Sequence, residues 1–305
     1  MWRLILMAMS ALLLTPQTRN LPVPPEPSPL PIPSPIVGGD VFLPLIFAKE
    51  QDIRGEDAII YGYASPHSRM YRVPFYNWSA RSQLCANKNF WPMLRGQGVD
   101  PDLLEKCNDG QRTLLLYNEP ELGHFSASPQ EAADMLHEWA SLWTGPIACC
   151  GNFYGDGGGE LTGLEWFLAF VAAYQDTYGT APPIDAIHMH VYEQGTLDMA
   201  ALQAWRKVAT WGGWGIIVSE SGTFPSEAYT VEEIAARLPG FLSDVEDVLQ
   251  PDMLMWFSDY LQPWALGRGT AWHRLNLTEM DGSLTPVGEA WEAHTGRTIG
   301  DDRAK

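Results

Sequence analysis

Between residues 113 and 257, short and almost uninterrupted apolar runs alternate with longer segments whose apolar positions recur at helical spacing. An apolar run that ends in polar residues or glycine is typical of a strand buried on both faces. Ser128–Glu131 predicts a helix start, because it combines a serine cap, a proline and an acidic residue. Such alternation predicts a parallel sheet covered by helices. The clearest strand candidates are Thr113–Tyr117, Pro146–Cys150, Ile184–Val191, Gly215–Ser219 and Met253–Phe257.

The distances between these strand ends favour a closed (β/α)8 barrel. A barrel of this kind uses about 31 residues for each strand–helix unit. Glu220 follows Glu119 by 101 residues, which is about three units. His190 follows Glu119 by 71 residues, and Trp256 follows Glu220 by 36. We therefore assign Glu119 to the end of strand four, His190 to six, Glu220 to seven and Trp256 to eight.

The first three strands are marked less clearly. We expect strand two at Tyr71–Trp78 and strand three at Phe90–Arg95. Strand one is predicted either at Val41–Phe47 or at Ala58–Ala64, and the pattern leaves both open. Together these elements predict the α/β fold class, with a single (β/α)8 TIM barrel domain over residues 41–305.

The first 40 residues carry two patterns that are foreign to such a barrel. Leu4–Leu14 is an apolar run that follows a cationic start and is too short to cross a bilayer. Residues 1–20 therefore predict a secretory signal peptide, with a cytosolic protein that has an apolar start as the alternative. Residues 21–40 contain eight prolines and predict an extended linker. We expect a secreted or extracellular protein.

Composition excludes several functional classes. Acidic residues outnumber basic ones 37 to 19, which gives a formal net charge of −18 with no basic run. Binding of nucleic acid through its phosphates requires lysine and arginine, so we expect no nucleic-acid partner. A hydrophobic content of 46 % excludes a mostly disordered chain. We also expect no membrane span.

The four cysteines show none of the spacings typical of metal ligands. If the chain is exported, Cys85 and Cys107 can form a disulfide. Cys149 and Cys150 are not expected to pair with each other, because consecutive side chains of a strand point to opposite faces. Buried free thiols are the alternative for these two.

Two glutamates carry the candidate chemistry. Glu119 and Glu220 each close an apolar run, and a carboxylate there is costly unless it is paired, hydrogen-bonded or functional. The carboxyl ends of the strands form the active-site face of (β/α)8 barrels. Alternate residues share a strand face, which places His190 with Tyr192 and allows both glutamates to face one lumen. Two facing carboxylates are what glycoside hydrolysis requires.

Short motifs in the expected order make the sequence resemble a known family. Tyr117-Asn118-Glu119-Pro120 resembles the strand-four motif of retaining clan A glycoside hydrolases, and His190-Val191-Tyr192 and Ser219–Gly222 resemble their strand-six and strand-seven segments. Tyr76-Asn77-Trp78 and Pro92–Gly96 come before these, as in glycoside hydrolase family 128 and related glycosyl hydrolase catalytic core proteins. The resemblance covers residues 58–295 and implies a retaining endo-β-1,3-glucanase.

The resemblance also implies individual roles. Glu119 would be the general acid/base and Glu220 the nucleophile, while Asn118 would bind the sugar 2-hydroxyl. Tyr192 would hold Glu220, and His190 would line the same pocket. Tyr76, Asn77, Trp78, Arg95 and Trp256 complete the implied substrate-binding set, with Trp78 and Trp256 as sugar platforms. We expect a monomer that acts on a polysaccharide or oligosaccharide and needs no cofactor or metal.

Other interpretations stay open at this point. The substrate can be another β-linked polysaccharide, namely mannan, xylan or β-1,4-glucan, and a sugar-binding barrel without catalysis would keep the tryptophans. A metal-dependent hydrolase could use His188 and His190, which share a strand face. We nevertheless expect His188 to be a core residue. Glu121 is expected to be a solvated loop residue.

Overall fold

The computed structural model describes residues 59–64, 72–78, 80–95, 100–122, 127–193, 195–223, 229–261 and 271–302. The predicted signal peptide and proline-rich linker lie outside these ranges, so their boundaries stay predictions. The strands are β1 (Ile60–Ala64), β2 (Phe75–Tyr76), β3 (Met93–Leu94), β4 (Leu114–Leu116), β5 (Ile147–Phe153), β6 (Ala186–Glu193), β7 (Gly215–Thr223) and β8 (Met253–Phe257). The α-helices are α1 (Pro101–Cys107), α2 (Pro129–Ala140), α3 (Gly163–Tyr178), α4 (Met199–Gly212), α5 (Val231–Leu249), α6 (Pro286–Thr295) and α7 (Ile299–Asp302).

The eight strands form one parallel sheet in the order β2-β1-β8-β7-β6-β5-β4-β3. Its two ends approach each other where Phe75 of β2 forms a parallel bridge with Phe90, just before β3. The Trp91 N–H donates to the Phe75 carbonyl at 2.8 Å, and the Phe75 N–H donates to the Asn89 carbonyl at 3.0 Å. The sheet is therefore a nearly closed barrel, and the predicted (β/α)8 architecture is confirmed.

Strand positions agree with the sequence pattern, with two informative differences. Strand one lies at Ile60–Ala64, within the second of the two predicted ranges, while the first, Val41–Phe47, lies outside the described residues. The strands β5, β6 and β7 all run past their predicted ends, to Phe153, Glu193 and Thr223. Glu220 consequently lies inside β7, and β7 and β6 are paired on either side of it.

Helix starts follow their local sequence. The Ser128 side chain accepts the Glu131 N–H while the Glu131 carboxylate accepts the Ser128 N–H, so the predicted capping box is present at α2. Equivalent boxes begin α3 at Thr162 and α5 at Thr230. Such caps satisfy N–H groups that have no partner within the helix, and each contributes about 1 kcal/mol. Within the described ranges, no helix is long and apolar enough to cross a membrane.

Both pairs of cysteines form disulfides. Cys85 and Cys107, with Cα atoms 5.2 Å apart, join a short 3₁₀ turn to the end of α1, as expected for an oxidised chain. Cys149 and Cys150 are also joined to each other, so the expectation that they do not pair was wrong. That expectation assumed a regular strand, whereas the pairing of β5 with β6 shifts register between Cys150 and Asn152.

We expect the double substitution Cys85→Ser, Cys107→Ser to lower the free energy of unfolding by about 2–4 kcal/mol. The bridge closes a segment with a sequence separation of 22 residues, and losing it lets the unfolded chain gain entropy. Urea denaturation of wild type and variant measures the difference. The Cys149→Ser, Cys150→Ser variant serves as the control, because it removes a disulfide between adjacent residues that closes almost no loop. An unchanged urea midpoint for the Cys85/Cys107 variant would contradict this prediction.

Candidate active site

Three side chains from three strand ends meet at the carboxyl end of the barrel. His190 of β6 lies between the two glutamates, with Nδ1 3.0 Å from the Glu119 Oε1 and Nε2 3.3 Å from the Glu220 Oε1. One side-chain ligand atom from each of the three residues lies within 4.8 Å of the others. The structure thus brings together the two carboxylates that the strand spacing predicted.

Glu220 is held by three donors from two sides of the barrel. Tyr76 donates its hydroxyl to Oε1 at 2.9 Å, and the Trp78 indole N–H donates to the same oxygen. Tyr192 donates to Oε2 at 2.7 Å. Burial and the negative charge of Glu119 hold the pKa of Glu220 above its ordinary value, although His190 and the hydrogen bonds donated by Trp78 and Tyr192 lower it. These donors favour the ionised carboxylate and fix its orientation.

The charge of His190 is set by its two neighbours. Burial lowers the pKa of His190, but the negative charges of Glu220 and Glu119, together with the Glu119 hydrogen bond, outweigh burial. The pKa of this imidazole therefore lies above its ordinary value. A histidine in this position can carry the positive charge that keeps two close carboxylates together.

Glu119 projects from an unusual backbone segment. Tyr117 and Glu119 both have left-handed backbones, with φ of 66° and 51°. Residues other than glycine rarely adopt this conformation. The Glu119 N–H donates to the Gly151 carbonyl at 2.9 Å. Gly151 also has a positive φ of 68°, and a Cβ there would lie 2.8 Å from the His188 ring. Only glycine at position 151 lets β5 approach the His188 ring and the Glu119 segment this closely.

The prediction for Trp256 was wrong. Its side chain is fully buried, and its indole N–H donates to the Leu275 carbonyl at 2.8 Å. Its ring packs against Phe241 of α5 and Trp291 of α6, at centroid distances of 6.3 and 5.7 Å. Trp256 therefore faces the helix layer, because alternate residues of a strand point to opposite faces. It cannot serve as a sugar platform.

Phe257 lies beside the site, in the position that the sequence analysis had assigned to Trp256. Its ring lies 5.4 Å from that of Trp78, 6.2 Å from Tyr192 and 5.1 Å from Trp272. Trp78, which donates to Glu220, and Trp272 are both half-buried. The sequence analysis missed Phe257 and Trp272. Nothing in the local sequence shows which of the adjacent residues Trp256 and Phe257 faces the site, and nothing in it points to Trp272.

The remaining predicted residues lie on the same rim. Asn118 is buried next to Glu119, and its Oδ1 has no hydrogen-bond partner among the described residues. Asn77 is half-buried between Tyr76 and Trp78. Arg95 follows β3 directly, and partial burial lowers the pKa of its guanidinium. All of them follow the carboxyl ends of strands, where a bound substrate would lie.

Two expectations about neighbouring groups have opposite outcomes. His188 is a core residue, as expected: its Nε2 lies 2.7 Å from the Leu116 carbonyl and its Nδ1 3.1 Å from the Ser219 hydroxyl. Burial lowers the pKa of His188 to about 3, and its occupied nitrogens argue against a metal site shared with His190. Glu121 is not a solvated loop residue, because its carboxylate is partly buried and accepts two hydrogen bonds.

Similarity to known proteins shows the family of this chain. A family profile described as "Glycosyl hydrolase catalytic core" matches residues 70–291. The chain belongs to the glycosyl hydrolase catalytic core family. This membership confirms the predicted family resemblance and the prediction of a glycoside hydrolase. A comparison with curated proteins finds no match.

Solved structures similar to this glycosyl hydrolase include several enzymes of glycoside hydrolase family 128. A subgroup I endo-β-1,3-glucanase from Amycolatopsis mediterranei, in complex with laminaripentaose, has a TM-score of 0.58 at 18 % identity, covering 78 % of this chain and 100 % of its own. A subgroup II endo-β-1,3-glucanase from Pseudomonas viridiflava has a TM-score of 0.57 at 21 % identity, and the match covers 77 % of this chain and 95 % of that enzyme. A subgroup III curdlan-specific exo-β-1,3-glucanase from Blastomyces gilchristii has a TM-score of 0.54 at 18 % identity, and the match covers 76 % of this chain and 97 % of that enzyme. At these identities the similarity shows the shared fold.

Proposed function

We propose that this glycoside hydrolase is an endo-β-1,3-glucanase that works by a retaining double displacement. The observation that carries the proposal is the pair Glu119 and Glu220, whose nearest oxygens lie within 4.8 Å on either side of His190. Retaining enzymes place their two carboxyl groups about 5–5.5 Å apart, whereas inverting enzymes leave about 6.5–9.5 Å for a water molecule. An oxygen-to-oxygen distance within 4.8 Å fits the shorter of these two spacings and supports direct attack by one carboxylate.

The environments of the two glutamates support different roles. The side chain of Glu220 is only 7 % exposed, and the three donors described above fix its two carboxylate oxygens in position, as attack by a nucleophile requires. The side chain of Glu119 is 20 % exposed, so a leaving-group oxygen or a water molecule can reach it. We assign Glu220 as the nucleophile and Glu119 as the general acid/base.

The proposed reaction has two steps. Glu119 protonates the glycosidic oxygen while a Glu220 oxygen attacks the anomeric carbon, so the bond to the leaving sugar breaks as the glycosyl–enzyme ester forms. Glu119 then removes a proton from water, which attacks the same carbon and releases Glu220. His190 contacts both carboxylates and balances their charge as the proton leaves and returns to Glu119.

The substrate and the cellular setting have their own supporting observations. The similar structures named above are β-1,3-glucanases of both endo and exo types, and one holds laminaripentaose. Trp78 donates to Glu220, and Trp272 packs against Tyr192; both are half-buried and suit the apolar face of a sugar. Export fits the apolar start of the chain and its two disulfides, which persist in oxidising compartments. The monomeric state stays a prediction.

The decisive experiment compares purified enzyme on a panel of polysaccharides. We expect release of oligosaccharides from laminarin, with little product from β-1,4-glucan, mannan or xylan. Nuclear magnetic resonance should show the β-anomer of the new reducing end first, since two inversions restore the configuration. The Glu220→Gln variant, prepared identically, controls for contaminating activity. Glucose as the sole product would exclude endo action, and an initial α-anomer would exclude retention.

A further inference from the structure

The carboxylate of Glu121, two residues after the acid/base, joins the Glu119 segment to β5. Its Oε2 accepts the Asn152 side-chain amide at 2.9 Å, and its Oε1 accepts the backbone N–H of Phe153. Asn152 is fully buried and Phe153 nearly so. Burial raises the pKa of Glu121, although these hydrogen bonds lower it. A partly buried carboxylate with two donors is well fixed in position.

The same strand segment also holds the backbone of Glu119. Gly151 accepts the Glu119 N–H, and the next two residues, Asn152 and Phe153, bind the Glu121 carboxylate. The turn that presents the acid/base is therefore attached to β5 on both sides of Pro120. Glu119 has a left-handed φ of 51°, which costs energy unless its surroundings maintain it.

Little space exists for the carboxylate to move. A Cβ on Gly163, at the start of α3, would lie 2.0 Å from the Phe153 carbonyl and 3.1 Å from the Glu121 Oε1. The first turn of α3 thus closes directly over this contact. The Gly159 backbone also lies against the Glu121 carbonyl, since a Cβ there would be 2.5 Å away.

We propose that Glu121 is a positioning residue for the acid/base: by binding Asn152 and Phe153 it holds Glu119 at the point where the leaving-group oxygen is protonated. The inference rests on the proposed function, because it assigns no chemistry of its own to Glu121. Small displacements of a catalytic group can cost as much as about 10²-fold in rate. Loss of this contact should therefore weaken protonation by Glu119 and leave attack by Glu220 intact.

Two substitutions separate the contact from the charge. Glu121→Ala removes both hydrogen bonds. Glu121→Gln keeps an acceptor for the Phe153 N–H, and once the Asn152 side-chain amide turns over, the new amide can donate to the Asn152 Oδ1, which has no partner among the described residues. Asn152→Ala removes one of the two contacts from the other side. Glu138→Ala, an exposed position on α2, is the matched control for loss of a glutamate.

The test compares two laminaribiosides that differ in their need for an acid. Phenyl β-laminaribioside requires protonation of its leaving group, whereas the 2,4-dinitrophenyl compound leaves as a stable anion. We expect Glu121→Ala to lower kcat/KM on the phenyl compound by about 10- to 10²-fold and to leave the dinitrophenyl compound nearly unchanged. Glu121→Gln and Glu138→Ala should stay close to wild type on both, and Asn152→Ala should show a smaller loss on the phenyl compound alone.

The possible outcomes separate failure of the positioning role of Glu121 from failure of the proposed glucanase function. Equal losses on both substrates, or no loss on either, would overturn the positioning role of Glu121. If Glu121→Ala does not fold, Asn152→Ala decides by the same comparison. A wild-type enzyme that hydrolyses neither laminaribioside nor laminarin would instead overturn the proposed function.

Discussion

Glu220→Gln is expected to lower kcat on laminarin by at least about 10⁴-fold, on the scale of nucleophile loss in other hydrolases. An amide oxygen is a poor nucleophile, so the glycosyl–enzyme ester cannot form at a useful rate. The fold should survive, because Tyr76, Trp78 and Tyr192 can still donate to the amide oxygen or rearrange around it. Reducing-sugar release, measured with a denaturation curve for the same preparation, tests both statements.

A second variant at this position checks the mechanism. Glu220→Ala leaves space where the carboxylate was, so azide can attack the dinitrophenyl substrate from the same side. We expect the α-glycosyl azide, which is the product of a single inversion. Retention of more than a few per cent of wild-type activity by a folded Glu220→Gln enzyme would reject the assignment of Glu220 as the nucleophile.

Glu119→Gln is expected to lower kcat/KM on phenyl β-laminaribioside by about 10²–10⁴-fold, the usual contribution of a general acid. The dinitrophenyl compound should keep most of its kcat/KM, because its leaving group needs no proton. Its kcat should nevertheless fall, since Glu119 must also activate water in the second step. Steady-state kinetics on the two substrates measure the contrast.

Azide provides the control for this variant. It needs no general base, so it should restore the kcat of Glu119→Gln on the dinitrophenyl compound and yield the β-glycosyl azide. Wild type should gain nothing from azide. A Glu119→Gln enzyme with equal losses on both substrates, and no response to azide, would show that Glu119 is not the acid/base.

Strand positions and the two glutamates were predictable for one reason. The (β/α)8 barrel repeats a unit of nearly constant length, so apolar runs separated by about 31 residues indicate successive strands. Parallel strands all direct their carboxyl ends to the same rim, and Glu119, His190 and Glu220 therefore had to meet there. The local patterns were sufficient because each one reports burial of a single strand.

The directions of individual side chains at that rim were less predictable. Trp256 and Phe257 are adjacent in the sequence, and only the packing against α5 and α6 shows which of them faces the helices. The pairing of β7 with β8 also shifts register between Val218 and Ser221, so counting from the strand start does not give the facing residue. A register shift of this kind leaves no mark in the hydrophobic pattern.

The sequence by itself determined the barrel, the two catalytic candidates and the enzyme class, because these follow from periodic burial and short motifs. Only the tertiary structure decided that Tyr76 and Trp78, which lie 144 and 142 residues before Glu220, donate to it. The paired Cys149 and Cys150 and the buried contacts of Glu121 were likewise decided by the irregular course of β5. Contacts of this kind depend on the relative registers of separate strands, and local sequence patterns do not encode those registers.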